Sequence, residues 1–234
     1  MVTYMRYTLI ACVLCLNIQL WAQNKLIEGK VFYDITYPEL SGDAKRFEAM
    51  LPKDATVYFK NGKSRVEMPN AAGKITTIAD SSMSDVIILL NLNGKKFAMK
   101  KTAEDIKKAQ TDLQGGGAAP KVNITKTDET KLIAGYTCKK AIIDLLYGEK
   151  TISNYCWYTD MLPKIMNGTD TNYEAIEGFM MEYTITQDGI KKTLKVRQVF
   201  DEKVGDVLFQ ISPSYRFVKS DEELVEIMNA EMGR

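Results

Sequence analysis

From residue 30 onward apolar and polar residues alternate with a period of two, broken at short polar turns, which is the signature of half-buried β-strands. In 30–37, Val31, Tyr33, Ile35 and Tyr37 share one face. Three dipeptides, Asn61-Gly62, Asn93-Gly94 and Asp188-Gly189, favour the type I′ hairpin turn and so fix which residues oppose each other. The first sets Val57 against Val66 and Phe59 against Ser64. The second sets Leu90 against Phe97 and Ile88 against Met99; the third sets Tyr183 against Leu194 and Met181 against Val196. Apart from Ser64, apolar meets apolar in every pair, as a sheet with one buried face requires. The run Val86 to Leu90 is apolar on both faces, which predicts a strand covered on both sides. A fourth hairpin joins 136–145 to 151–159 around Tyr147-Gly148, its loop length left open. All six prolines fall between these strands or at their ends, where a missing donor costs no ladder bond.

Helical spacing is confined to two stretches. Thr102 is a capping residue for 102–113, where Ala103, Ile106, Ala109 and Leu113 recur at helical intervals. Ser220 with Glu223 forms a capping box ahead of Leu224, Val225, Ile227 and Met228, predicting a helix to Met232. A glycine-rich stretch at 114–120 separates the first helix from the next strand and reads as a flexible connection. The pattern therefore predicts a mainly β (α+β) protein, with one curved antiparallel sheet over 23–234 and a few helices covering one face.

The N-terminus departs from this pattern. One early cation, Arg6, precedes an apolar run from Tyr7 to Leu16, and small Ala22 precedes Gln23. This reads as a signal peptide over 1–22, cleaved after Ala22, which places the protein in the periplasm or cell envelope. The run is short of the roughly 20 apolar residues a membrane span needs, and nothing later is long enough. Leu9-Ile10-Ala11-Cys12 resembles a lipobox, but only five residues separate Arg6 from Cys12, so cleavage after Ala22 is the expectation. Without the leader, 30 cations balance 30 carboxylates. This balance argues against nucleic acid or an anionic membrane surface as the main partner.

Candidate chemistry is sparse. The chain has no histidine. Cys138 and Cys156 remain after the leader, and an exported protein with two cysteines suggests a disulfide. A three-residue loop centred on Tyr147 sets them opposite; a two-residue Tyr147-Gly148 turn offsets them by one, onto opposite faces. Two cysteines without histidine make no zinc site, and no metal or cofactor is expected. Methionines such as Met68, Met99 and Met181 read as core or cavity wall rather than a copper site. Asp80, Asp85, Asp160, Asp170, Glu174 and Glu177 lie near turns, with nothing to mark one pair as a glycosidase acid and base. Trp157, Tyr155 and Tyr158 could stack a sugar, but in alternating sequence they read as ordinary strand residues.

Several stretches resemble a family of uncharacterised secreted proteins, a domain of unknown function common in Bacteroides-type bacteria. They are Leu51-Pro52 with 56–68 (TVYFKNGKSRVEM), 133–140 (IAGYTCKK), Trp157-Tyr158-Thr159-Asp160 and 208–215 (LFQISPSY). The strand-rich pattern is also similar to the periplasmic lipoprotein carriers. That likeness implies an open half-barrel with helices on its concave side and a cavity for acyl chains. The expectation is a non-enzymatic envelope protein that binds an apolar ligand, either a lipid or a lipoprotein. Its candidate lining is Ile88, Leu90, Phe97, Met99, Met181 and Tyr183, which are equally candidate core. The alternative is an interaction or scaffold module with a fully packed core and an envelope protein as partner.

Overall fold

The computed structural model describes residues 25–40, 42–81, 85–106, 108, 120–165, 171–187 and 190–231. The leader, the glycine-rich stretch up to Ala119, the later turns of the helix predicted at 102–113, and Asp188-Gly189 lie outside the described residues. Twelve strands form one sheet: β1 (Glu28–Thr36), β2 (Asp54–Lys60), β3 (Lys63–Asn70), β4 (Gly73–Asp80), β5 (Val86–Leu92), β6 (Lys95–Lys101), β7 (Lys121–Ile133), β8 (Tyr136–Tyr147), β9 (Lys150–Thr159), β10 (Phe179–Gln187), β11 (Ile190–Phe200) and β12 (Arg216–Val218). The spatial order β12-β6-β5-β4-β3-β2-β1-β11-β10-β9-β8-β7 is two meanders, β1 to β6 and β7 to β11, joined where β1 pairs with β11. Every pairing is antiparallel except the short β12 beside β6. Among the described residues, helix α1 (Gly42–Arg46) lies between β1 and β2, helix α2 (Asp221–Glu231) follows β12, and a further helical turn stands at 103–106 after β6.

Turn chemistry set the register as the dipeptides predict. Asn61-Gly62 and Asn93-Gly94 both have positive φ at each residue, the type I′ geometry. Val57 faces Val66, Phe59 faces Ser64, Leu90 faces Phe97 and Ile88 faces Met99. Tyr183 faces Leu194, but the β10–β11 ladder stops at Glu182, one position short of the expected pairing of Met181 with Val196. The cause is a bulge. On the β9 side Met180 pairs with Tyr158 and Glu182 with Trp157, so Met181 is the extra residue. The fourth hairpin turns at Gly148-Glu149, because Tyr147 pairs with Lys150. Strand β7 carries only Val122 and Ile124 in alternation before the polar run of 125–131, so its sequence gave no strand signal. It is an edge strand, and an edge tolerates such polarity.

The sheet is strongly curved. Phe59 on β2 and Phe179 on β10 have β1 and β11 between them, about 14 Å across a flat sheet at the usual strand spacing. Their ring centroids are nevertheless 5.9 Å apart. Likewise the Tyr33 hydroxyl on β1 donates to the Met180 carbonyl on β10 at 2.6 Å, reaching past β11. Bending brings these side chains together on the concave side, where Val31, Tyr33, Phe59, Phe179, Met181 and Tyr183 are almost completely buried in the main core.

Helices cover part of the concave side, as expected, and an irregular loop fills another part. Over β8 to β11 it is the β9–β10 loop that packs inward, burying Leu162, Ile165, Tyr173 and Ile176. The Tyr173 ring lies against Tyr183 and its hydroxyl bonds to the Thr184 carbonyl. Over β6 the helix α2 contributes Leu224 and Ile227 to a smaller cluster with Phe97, Met99 and Val218. Its start is capped as predicted, with the Glu223 amide donating to the Ser220 hydroxyl at 3.2 Å. Thr102 and Asp105 cap each other reciprocally at the first turn of the other helix, which buries Ile106 against Ala79 and Val86. On the convex side Phe209, Ile211 and Tyr215 cover Ile78, Leu89 and Ala98. That strap explains why β5 is apolar on both faces.

Candidate functional site

The concave face changes character at β4. Met68 on β3, Ile75 on β4, Leu90 on β5 and Phe97 on β6 form one row of directly opposed residues. Met68 packs against the main core and Leu90 against the cluster under α2. Ile75 stands half-buried between them and belongs to neither. In the adjoining row, Ile88 is half-buried and packs against a third cluster, with Ala79, Val86 and Ile106. Among the described residues, therefore, the packed apolar lining of the concave face is interrupted at β4, where Ile75 lies half-buried between two cores; this stretch is the candidate trough. Backbone bonding is complete there, since β4 is paired on both sides. The incomplete part is side-chain cover.

The six candidate lining residues are not brought together. Met181 and Tyr183 lie deep in the main core, 0% and 3% exposed. Phe97 and Met99 are sealed under α2, and only Leu90 and Ile88 border the trough. Ile75 was missed as lining and Met68 was read only as core or cavity wall in general, although the register of β3 with β4 places both: they extend the row of Leu90 and Phe97 by two strands.

Cys138 and Cys156 do not form the expected disulfide; both thiols are free and buried. Neither of the two anticipated registers occurs. The turn at Gly148-Glu149 sets Cys156 opposite Ala141, three residues from Cys138, so the two are not cross-strand partners although both lie in the main core. Burial pushes the Cys138 thiol up to about 11 and the Cys156 thiol higher still, so neither is a nucleophile at neutral pH.

The carboxylate and aromatic candidates sit elsewhere. Asp160, Glu177 and Tyr158 border a polar recess of about 280 Å³ beside β7, together with Lys126 and Lys139. Lys126 bonds Glu177 at 2.8 Å, and that bond holds the carboxyl below its ordinary range. A general acid needs the opposite shift. Asp85 is paired with Lys100 at 2.6 Å. Asp170 lies outside the described residues. Trp157 is 9% exposed and flanked by the Lys131 and Lys140 ammonium groups at 5.4 and 5.7 Å, so its ring offers no open face for stacking. Tyr155 donates to Glu182, a buried carboxylate that Lys131 also holds at 2.8 Å.

These features define a class, an open, curved antiparallel half-barrel whose concave side is plugged over one meander and only partly covered over the other. Residues 45–166, just over half of the chain, match the domain of unknown function DUF4412, and the chain belongs to that family. No curated protein matches it. Among solved structures it is similar to LprF from Mycobacterium bovis, with 11% identity over 78% of this chain and 90% of that one and a TM-score of 0.32. It is also similar to a β-barrel-like protein of the domain of unknown function DUF1849 from Brucella abortus. There the identity is 9%, over 76% of this chain and 98% of that one, with a TM-score of 0.32. Neither likeness bears on function. Among the described residues no helix is long and apolar enough to cross a membrane.

Proposed function

We propose that this is a non-enzymatic, exported envelope protein that holds an apolar ligand, a lipid or the acyl part of a lipidated partner, in the trough between β3 and β5. The observation that carries this reading is Ile75. A half-buried isoleucine in mid-strand, between two filled cores and part of neither, is where a sheet of this size leaves apolar surface uncovered. Apolar surface left uncovered between packed cores supports a binding site there. The chemistry agrees with a binding role: the two thiols are buried and protonated, and Glu177 is neutralised by its lysine partner.

Native mass spectrometry of the protein purified from the envelope without detergent tests this. The expected result is an added mass, identified as lipid, that leaves on collisional activation and is lost in Ile75→Glu. A clean apoprotein mass with no uptake from envelope lipid extracts would overturn the reading and favour the packed interaction module.

A further inference from the structure

The alternating chain direction of the meanders sorts the loops to two ends of the sheet, and the two ends differ in charge. At one end lie the β1–β2, β3–β4, β5–β6 and β8–β9 turns and the start of β7. This end carries Lys45, Lys53, Lys95, Lys96, Lys121 and Lys150, all exposed, and cations there outnumber the carboxylates, among them Glu39, Glu48, Asp54 and Glu149. At the other end carboxylates prevail, with Asp85, Asp160, Glu174, Asp201, Glu202 and Asp206 on its loops. The whole-chain balance near zero conceals this separation, because it sums over both ends.

The basic end also carries an apolar projection. Phe47 and Met50 are 58% and 50% exposed and stand three residues apart across a 3₁₀ turn, Glu48–Met50. At that spacing side chains eclipse, so the ring and the thioether stand on one side as a single wedge. The turn is closed by the Met50 amide donating to the Phe47 carbonyl at 2.8 Å. The loop is pinned to the sheet by the Ile35 amide on the Lys53 carbonyl at 2.8 Å and by the Tyr37 hydroxyl on the Pro52 carbonyl at 2.9 Å. A fixed, exposed apolar pair, flanked in its loop by Lys45, Arg46 and Lys53 as well as Glu48 and Asp54 and standing at the end where exposed lysines prevail, matches an interface with an apolar layer beneath anionic headgroups.

We infer that the β1–β2 loop end is a docking face for an anionic lipid bilayer, with Phe47 and Met50 entering the headgroup boundary and the surrounding lysines resting on phosphates. The row of Met68, Ile75 and Leu90 lies toward this same end, two positions in from the end of β3, but docking does not depend on what the trough holds.

Co-sedimentation with vesicles of phosphatidylcholine alone, or with added phosphatidylglycerol, tests the inference on the exported protein. Binding should require phosphatidylglycerol, fall with salt, and weaken about tenfold or more in F47S/M50S. Tenfold corresponds to ~1.4 kcal/mol. K95E/K96E should weaken binding similarly, while Val207→Ser, which removes an exposed apolar residue of the convex strap, should leave it unchanged. Ile75→Glu should still bind vesicles even where it loses lipid uptake, which separates a failure here from a failure of the trough. No binding to phosphatidylglycerol vesicles would overturn the inference, as would binding indifferent to F47S/M50S. So would capture of an acidic envelope protein by this end in place of vesicles.

Discussion

The curvature of the sheet can be measured energetically through Phe59 and Phe179. Both are completely buried, and their rings meet across two intervening strands at a centroid distance of 5.9 Å, tilted by 56°. Truncation to alanine would cost about 3–5 kcal/mol at each site. The pair together would then approach the whole stability of a domain, about 5–15 kcal/mol. Leucine keeps most of the volume and removes the ring, so F59L and F179L should each cost about 1–1.5 kcal/mol. An aromatic pair contributes ~0.5–1.5 kcal/mol beyond its buried area. Once the first ring is gone, the second substitution no longer loses that contact. The double variant should therefore be less destabilised than the sum of the singles by about that amount. Urea denaturation at constant m-value measures all four corners of the cycle. Sites without contact add to within ~0.3–0.5 kcal/mol. Strict additivity would mean that the rings do not meet in solution and that the sheet is flatter than its packing implies.

Two further outcomes follow from the buried polar and sulfur groups. Intact mass should show two free thiols, and a thiol reagent at neutral pH should label Cys138 and Cys156 only after denaturant is added; rapid labelling of the native protein would contradict their burial. At Glu67, burial pulls the carboxyl up, but hydrogen bonds from Lys74 at 3.0 Å and Arg65 at 2.7 Å outweigh it and hold the folded pKa below the ordinary value. A depressed carboxyl stabilises the fold above its unfolded pKa, ~4.3, and that contribution is lost as pH falls through the folded value. Wild type should exceed Glu67→Gln by about 1 kcal/mol near neutrality, a value discounted for partial solvent screening. The gap should close in acid, and a pH-independent gap in urea titrations would refute the assignment.

The local rules in the chain reached a long way. Asn-Gly at 61–62 and 93–94 decided two hairpin registers because only residues tolerant of positive φ let a two-residue turn follow the twist of the strands. Alternation in β1 and β2 identified the buried faces, the unbroken apolar run of β5 predicted cover on both of its faces, and Ser220 and Thr102 marked helix starts through their hydroxyls. These are short-range effects, legible because they act within a few residues. The errors arose where two strands had to agree. Met181 carries the same alternation as Tyr183, yet pairing with β9 inserts it as a bulge. The cysteine question turned on whether the loop is centred on Tyr147, turns at Tyr147-Gly148 or, as it does, turns at Gly148-Glu149, a choice made by the whole β8–β9 ladder.

Tertiary structure alone decided the rest. Nothing in the spacing of Leu162, Ile165, Tyr173 and Ile176 announces that an irregular loop fills the concave side, since burial of a loop has no periodicity. Composition could not show that β4 falls between two packed cores, because Ile75 resembles any other strand isoleucine until its neighbours on β3 and β5 are placed. Charge was hidden in the same way. A neutral sequence becomes a molecule with one basic and one acidic end only when successive strands reverse direction and return their turns to opposite rims. Sequence sets which side chains can share a face; the closing of the sheet sets which of them share a space.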